Sequence, residues 1–237
     1  MNKEINKGIK KWLAVGAMIV SVVSLGRAIW FNYQFSYQKS QTIWQDVLSR
    51  VGVYKPDTNA NSEIVFLGDS ITFQEDWNVL FGVSNIANAG LSGNTTDDVL
   101  TRLPAVISGH PQKLFLMIGI NDLRTGKDVA YVFSNYAKIV SQIKTVSPET
   151  KIFLESVLPV DNDIAGPNFG IIDAQKIIDL NSRIKSLADG NEIQFIDLYP
   201  NFCGPDRKLY VAYAKDGLHL NSHGYAVWKK IIIDNVK

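Results

Sequence analysis

The stretch Glu63–Thr72 reads EIVFLGDSIT. Ile64 to Leu67 form an unbroken apolar run, Gly68 closes it, and polar residues follow at once. A short run without polar alternation, closed by a turn residue, reads as a strand buried on both faces. Four later stretches share the form: VSNIANAG (Val83–Gly90), KLFLMIG (Lys113–Gly119), KIFLESV (Lys151–Val157) and IQFIDL (Ile193–Leu198). Between them lie helical patterns over Thr95–Ile107, Lys127–Val146 and Ile171–Leu187, and a last one over Gly224–Ile233. Asn94 or Thr95 is placed to cap the first of these, with Asp97 and Asp98 in the turn where the helix dipole favours anions. Buried strands alternating with helices predict an α/β fold with a five-stranded parallel sheet covered on both faces.

In open sheets of this kind, ligands bind outside the carboxyl ends of the strands. Those ends carry DSIT after the first strand, LSGNTT after the second and IND after the third. The segment DGLHLNSHGY, Asp216–Tyr225, leads into the last helix and can return to the same edge. Each candidate there has an ordinary structural use beside a chemical one. Ser70 can cap a helix or serve as a nucleophile, which needs a base and oxyanion donors. His219 can be a loop histidine or that base, and Asp216 can be a turn residue before Gly217 or the group that orients His219. Gly93 can be a turn glycine or an opening of the helix that aims its N–H at an anion. Asn121 can be a helix cap or a side-chain donor. Taken together these residues supply nucleophile, base, orienting carboxylate and three donors, namely the Ser70 and Gly93 N–H groups and the Asn121 amide, as acyl transfer requires.

A metal on His219 and His223 lacks a third ligand in the segment, and Gly217 and Gly224 interrupt the helical spacing it needs. His223 is expected to be structural, as a helix cap. Gly68, Gly90 and Gly93 do not have the spacing of a dinucleotide-binding fingerprint.

The blocks GDSIT, NAGLSGNTT, GINDL and DGLHLNSHGY, in this order, resemble the four motif blocks of the SGNH hydrolase superfamily, the GDSL-type esterases and lipases. The resemblance runs from Ser62 to the C-terminus. It implies a flavodoxin-like three-layer α/β/α sandwich, a catalytic triad of Ser70, Asp216 and His219, and oxyanion donors from Ser70, Gly93 and Asn121. It implies no metal and no organic cofactor. Ile71 stands where the family name has Leu, and Leu220 where many members have Pro; neither carries a catalytic atom. Phe73, Trp77 and Arg124 follow these blocks and are candidates to line a substrate pocket, with the loop Pro159–Gly170 as a wall. The expected reaction is hydrolysis of a carboxylic ester, with short acyl or acetyl groups on envelope glycans as first substrate class and a lysophospholipid or other lipid ester as second. A non-catalytic anchored module binding a glycan or protein partner is the reading from another class; such a module has no use for Ser70 paired with His219.

The remaining features bound the setting. The chain has 237 residues, 46% hydrophobic and 20% charged, enough for one packed domain and against global disorder. A net charge of +1 gives no basic excess for nucleic acid. The single cysteine, Cys203, cannot form an internal disulfide and reads as a small core residue. Residues 1–11 contain Lys3, Lys7, Lys10 and Lys11, and Trp12–Phe31 follows with Arg27 as its one charge. Twenty helical residues span about 30 Å, one hydrocarbon core. Lysines before such a run retain the N-terminus in the cytoplasm. The expectation is therefore a single-pass signal anchor with the hydrolase domain extracytoplasmic; a cleaved signal, giving a secreted protein, and a buried helix are the other readings. Residues 32–61 read as a connector with a short helix near Ile43–Val51, and residues 62–237 as the hydrolase domain.

Overall fold

The computed structural model describes residues 64–166 and 170–237, all within one compact unit. The expected anchor, connector and domain start lie outside these residues. Among the described residues no helix is long and apolar enough to cross a membrane.

Five parallel strands form one sheet: β1 (Ile64–Gly68), β2 (Ile86–Gly90), β3 (Lys113–Met117), β4 (Lys151–Glu155) and β5 (Ile193–Ile196), in the order β2-β1-β3-β4-β5. This is the flavodoxin-like order expected from the family resemblance. β2 to β5 are shorter than the stretches that predict them. β2 differs most: it begins at Ile86, after an irregular segment Val83–Asn85 that bends at Ser84.

Register sorts the core onto two faces, since alternate strand residues point opposite ways. Phe66, Phe115 and Phe153 are paired across neighbouring strands, and their rings stack at centroid distances of 4.6 and 4.5 Å. Trp77 of helix α2 (Trp77–Phe81) lies 4.1 Å from Phe66, and Trp228 of helix α9 (Ser222–Val236) meets Trp77 edge-on at 5.0 Å. Helices α2 and α9 thus cover the aromatic face. Val65, Leu114 and Ile152, with Leu67, Leu116 and Leu154, pack on the other. There α3 (Thr96–Ile107) packs on α5 (Val129–Val146), and α5 on α7 (Ala174–Lys185). Their inward positions repeat at three and four residues, as with Val132, Tyr136, Ile139 and Ile143.

Besides α2, four more very short helices complete the layers among the described residues: α1 (Ser70–Phe73), α4 (Ile120–Arg124), α6 (Asn162–Ala165) and α8 (Tyr199–Phe202). All follow strands or lie in loops at the chemically rich edge. Thr95, not Asn94, caps α3: its hydroxyl accepts the Asp98 N–H while the Asp98 carboxylate accepts the Thr95 N–H, a capping box. Asn221 caps α9, accepting from the His223 and Gly224 N–H groups. His223 is therefore not the cap; it is exposed in the first turn.

Candidate active site

The strand order reverses between β1 and β3, and the crevice at such a switch point is where this fold binds ligands. The chain places Ser70 immediately beyond β1 and Asn121 beyond β3. Asp69 starts α1 by accepting the Ile71 N–H at 3.0 Å, so the turn from strand to helix lifts Ser70 to the sheet edge. Ser70 is 8% exposed, at the bottom of that edge. Burial pushes the Asp69 carboxyl up to about 7, against the Ile71 N–H and the nearby Arg102 charge, which favour the anion.

Ser70 Oγ lies 2.9 Å from His219 Nε2, across 149 positions of sequence. His219 Nδ1 lies 2.8 Å from Asp216 Oδ2. With Nδ1–H given to the carboxylate, the neutral ring presents Nε2 as an acceptor to the serine hydroxyl. The second Asp216 oxygen accepts the His219 and Leu218 N–H groups at 2.8 and 3.2 Å. Burial works to raise the Asp216 carboxyl, but the His219 and Leu218 N–H groups and the His219 ring outweigh it and hold it below its usual value. Gly217 permits this turn. It has φ +80°, and a Cβ there would lie 2.6 Å from both Asp161 O and Ala165 N. The Asp161 N–H in turn donates to Gly217 O at 2.8 Å, pinning the turn to the start of α6.

Asn121 is buried in the first turn of α4 and its Nδ2 donates to Asn94 O at 2.9 Å. An amide nitrogen carries two N–H groups, and this bond uses one. Of the two uses open to it in the sequence, Gly93 takes that of a turn glycine and does not open the helix. It sits two residues before the Thr95 cap, in a turn closed by Asn94 N–H to Leu91 O at 3.2 Å, with φ +79° at the position where a type II turn needs glycine. It is exposed, next to the Asn94 carbonyl that holds Asn121.

The pocket candidates fare differently. Trp77 is 1% exposed, between Phe66 and Trp228, and its Nε1 donates to Thr72 O, so it supports the back of α1 instead of facing a substrate. Phe73 is half-buried, its backbone against Gly90. Arg124 is half-buried, its stem beside Gly170.

Three supporting residues escaped the sequence reading. Asn88 Nδ2 lies 2.9–3.2 Å from the carbonyls of Thr72, Phe73 and Glu75 and so holds the end of α1. Asp122, buried and raised by that burial, accepts the N–H and hydroxyl of Thr96 and fixes the start of α3. Arg102 is fully buried, with Nε on Asn94 Oδ1 at 2.8 Å and Nη2 on Gly68 O at 2.9 Å. Its signal in the sequence is position: Val99, Arg102, Leu103 and Val106 form one inward stripe, and a charge on such a stripe has to have buried partners.

His219 uses both ring nitrogens within the serine–aspartate line, and among the described residues no group of three or more His, Cys, Asp or Glu side chains is arranged to hold a metal ion.

The flavodoxin-like sheet thus carries a serine, a histidine and an aspartate in hydrogen-bonded line at its switch point. The family model of the GDSL-like Lipase/Acylhydrolase family matches residues 66–227, and the chain belongs to that family. It is 30% identical over 172 residues to the platelet-activating factor acetylhydrolase IB subunit alpha2 of Homo sapiens, covering 69% of this chain and 71% of that one. A solved GDSL-like lipase from Bacteroides thetaiotaomicron superposes with TM-score 0.69 at 28% identity, over 81% of this chain and 96% of that one. The N-acylneuraminate cytidylyltransferase of Streptococcus agalactiae serotype III is 24% identical over 212 residues, 88% of this chain but 46% of its own length. The chain thus spans about half the length of the first curated relatives it matches.

Proposed function

We propose that the protein is a carboxylic ester hydrolase that works through an acyl-enzyme on Ser70. The observation that carries this reading is the line Ser70 Oγ–His219 Nε2–Asp216, at 2.9 and 2.8 Å. Ser70 Oγ attacks the ester carbonyl carbon while its proton passes to His219 Nε2. The Ser70 and Gly93 N–H groups and the second N–H of Asn121 take the oxyanion. Collapse of the tetrahedral intermediate expels the alcohol, which leaves with the proton from His219. Water then attacks the acyl-serine, giving a proton to His219; release of the acid returns that proton to Ser70. Asp216 orients the ring and stabilises its charged form throughout.

The proposed substrates are short acyl esters, acetyl first, on envelope glycans. The acetylhydrolase named among the relatives supports a small acyl group. Lipid esters are the second reading, supported by the lipase in the family's description. The basic residues before Trp12–Phe31 support an anchored domain outside the cytoplasm. Hydrolysis of p-nitrophenyl acetate and p-nitrophenyl palmitate by the full chain separates the two readings. Preference for acetate upholds the first and preference for palmitate the second. Hydrolysis of neither, or of either one undiminished in Ser70→Ala, overturns the mechanism. Recovery of the full-length protein in the membrane pellet is the expected result for the anchor.

A further inference from the structure

The three elements that carry the proposed oxyanion donors come from different parts of the chain: the β1–α1 turn, the turn before α3, and α4. One side chain joins them. Arg102 Nη2 donates to Gly68 O, two residues before Ser70. Its Nε donates to Asn94 Oδ1, one residue after Gly93. The backbone oxygen of the same Asn94 accepts from Asn121 Nδ2 at 2.9 Å. The guanidinium is fully buried, so these bonds are not shared with solvent, and its planar fork sets their directions. A buried cation is costly to keep in a hydrophobic stripe; the carboxylates of Asp98 and, less strongly, Asp69 are close enough to Arg102 to favour its charge. A hydrophobic residue would fill the space without joining the three elements.

We propose that Arg102 is a positioning residue of the oxyanion site, holding the Gly93–Asn94 turn and, through Asn94, the Asn121 amide in register with Ser70. This rests on the reading of Ser70 as the nucleophile. Arg102 touches no reacting atom; its effect is to keep donors within the fraction of an ångström that oxyanion stabilisation demands, where a 1 Å misplacement costs about 10²-fold in rate.

The test separates misplacement from general damage. The full chain, Arg102→Lys and Asn94→Ala are assayed with p-nitrophenyl acetate and with its thiono analogue, in which sulfur replaces the carbonyl oxygen. A sulfur anion is larger and accepts hydrogen bonds weakly, so a site built around an oxyanion favours the oxo ester. The oxo-to-thiono ratio of kcat does not depend on how much enzyme is folded. Asn181→Ala serves as a control, because Asn181 bonds only the Val157 backbone in the described contacts and its loss damages the fold elsewhere. The expected result is an oxo-to-thiono ratio at least about tenfold lower in Arg102→Lys and in Asn94→Ala, with KM little changed, and an unchanged ratio in Asn181→Ala. If Arg102→Lys does not fold, Asn94→Ala carries the same expectation. Ser70-dependent turnover with an unchanged ratio in the folded variants overturns the positioning role alone. Absence of Ser70-dependent turnover in the unsubstituted protein overturns the hydrolase reading and this inference together.

Discussion

Replacing Gly90 with alanine tests how closely the sheet holds the proposed nucleophile. A Cβ on Gly90 would lie 2.4 Å from Phe73 N and 2.8 Å from both Phe73 Cα and Thr72 C, whereas ordinary contact begins near 3.4 Å. All three atoms are backbone of α1, so no side chain can swing aside. The helix or the strand has to yield by about 1 Å. α1 is short, tied to Asp69 and Ser70 by its own backbone bonds and to Asn88 at its far end, so it moves with Ser70 rather than bending away from it. A shift of that size takes the 2.9 Å Ser70–His219 bond out of hydrogen-bond range. The expected cost is about 10²-fold in kcat on p-nitrophenyl acetate. Overpacking should also cost about 1–3 kcal/mol, a fall in Tm of roughly 2–12 °C for a chain of this size. Steady-state kinetics at 25 °C with calorimetry on the same sample separate the two effects. A kcat within about threefold of the unsubstituted protein, with Tm unchanged, would refute the argument that α1 is held by close approach to β2.

Asn121→Ala should lower kcat by about 10²–10³-fold with little change in KM, measured with the same ester; a change confined to KM would place Asn121 in substrate binding. Asp216→Asn should lower kcat by about 10³–10⁴-fold, because an amide does not select the His219 tautomer; activity near the unsubstituted level would remove Asp216 from the mechanism. Glu155 accepts from Trp228 Nε1 and is pushed up to about 8 by burial, from an ordinary value of 4.5. Between those values the unfolded chain loses the proton while the folded chain keeps it, so stability falls as pH rises, by at most about 1.4 kcal/mol per pH unit. Glu155→Gln keeps the acceptor for Trp228 and removes that loss. It should be more stable than the unsubstituted protein at pH 8, with the gap narrowing toward pH 5 in urea denaturation; a gap independent of pH would contradict the assignment.

The parts of the fold that bury long apolar runs were legible in the sequence. The central strands β1, β3 and β4 and the four long helices follow from runs such as KLFLM and from three-and-four spacing, because burial selects those patterns directly; β2 and β5 were placed too, but as edge strands they are only partly buried and not buried on both faces as expected. The short helices were not legible, since four or five residues do not complete enough turns to show a period. Ser70, His219 and Asp216 were legible as candidates because each follows or returns to a strand end, and the parallel sheet brings those ends together from 149 residues apart. Trp77 misled because proximity in sequence to Ser70 says nothing about which way the ring turns; the stack on Phe66 takes it into the core. Arg102 and Asn88 were hidden for a related reason: a polar residue inside an apolar pattern shows that a partner exists, but the partners, Gly68, Asn94 and the carbonyls of α1, are set by tertiary packing. The expectations for residues 1–61 lie outside the described residues.

Ser70 as a nucleophile is tested most directly by reacting the full chain with a fluorophosphonate probe and mapping the adduct by peptide mass spectrometry. The account predicts one adduct, on Ser70, with labelling and p-nitrophenyl acetate hydrolysis both lost in Ser70→Ala. An adduct on another residue, or hydrolysis that survives Ser70→Ala, would contradict it.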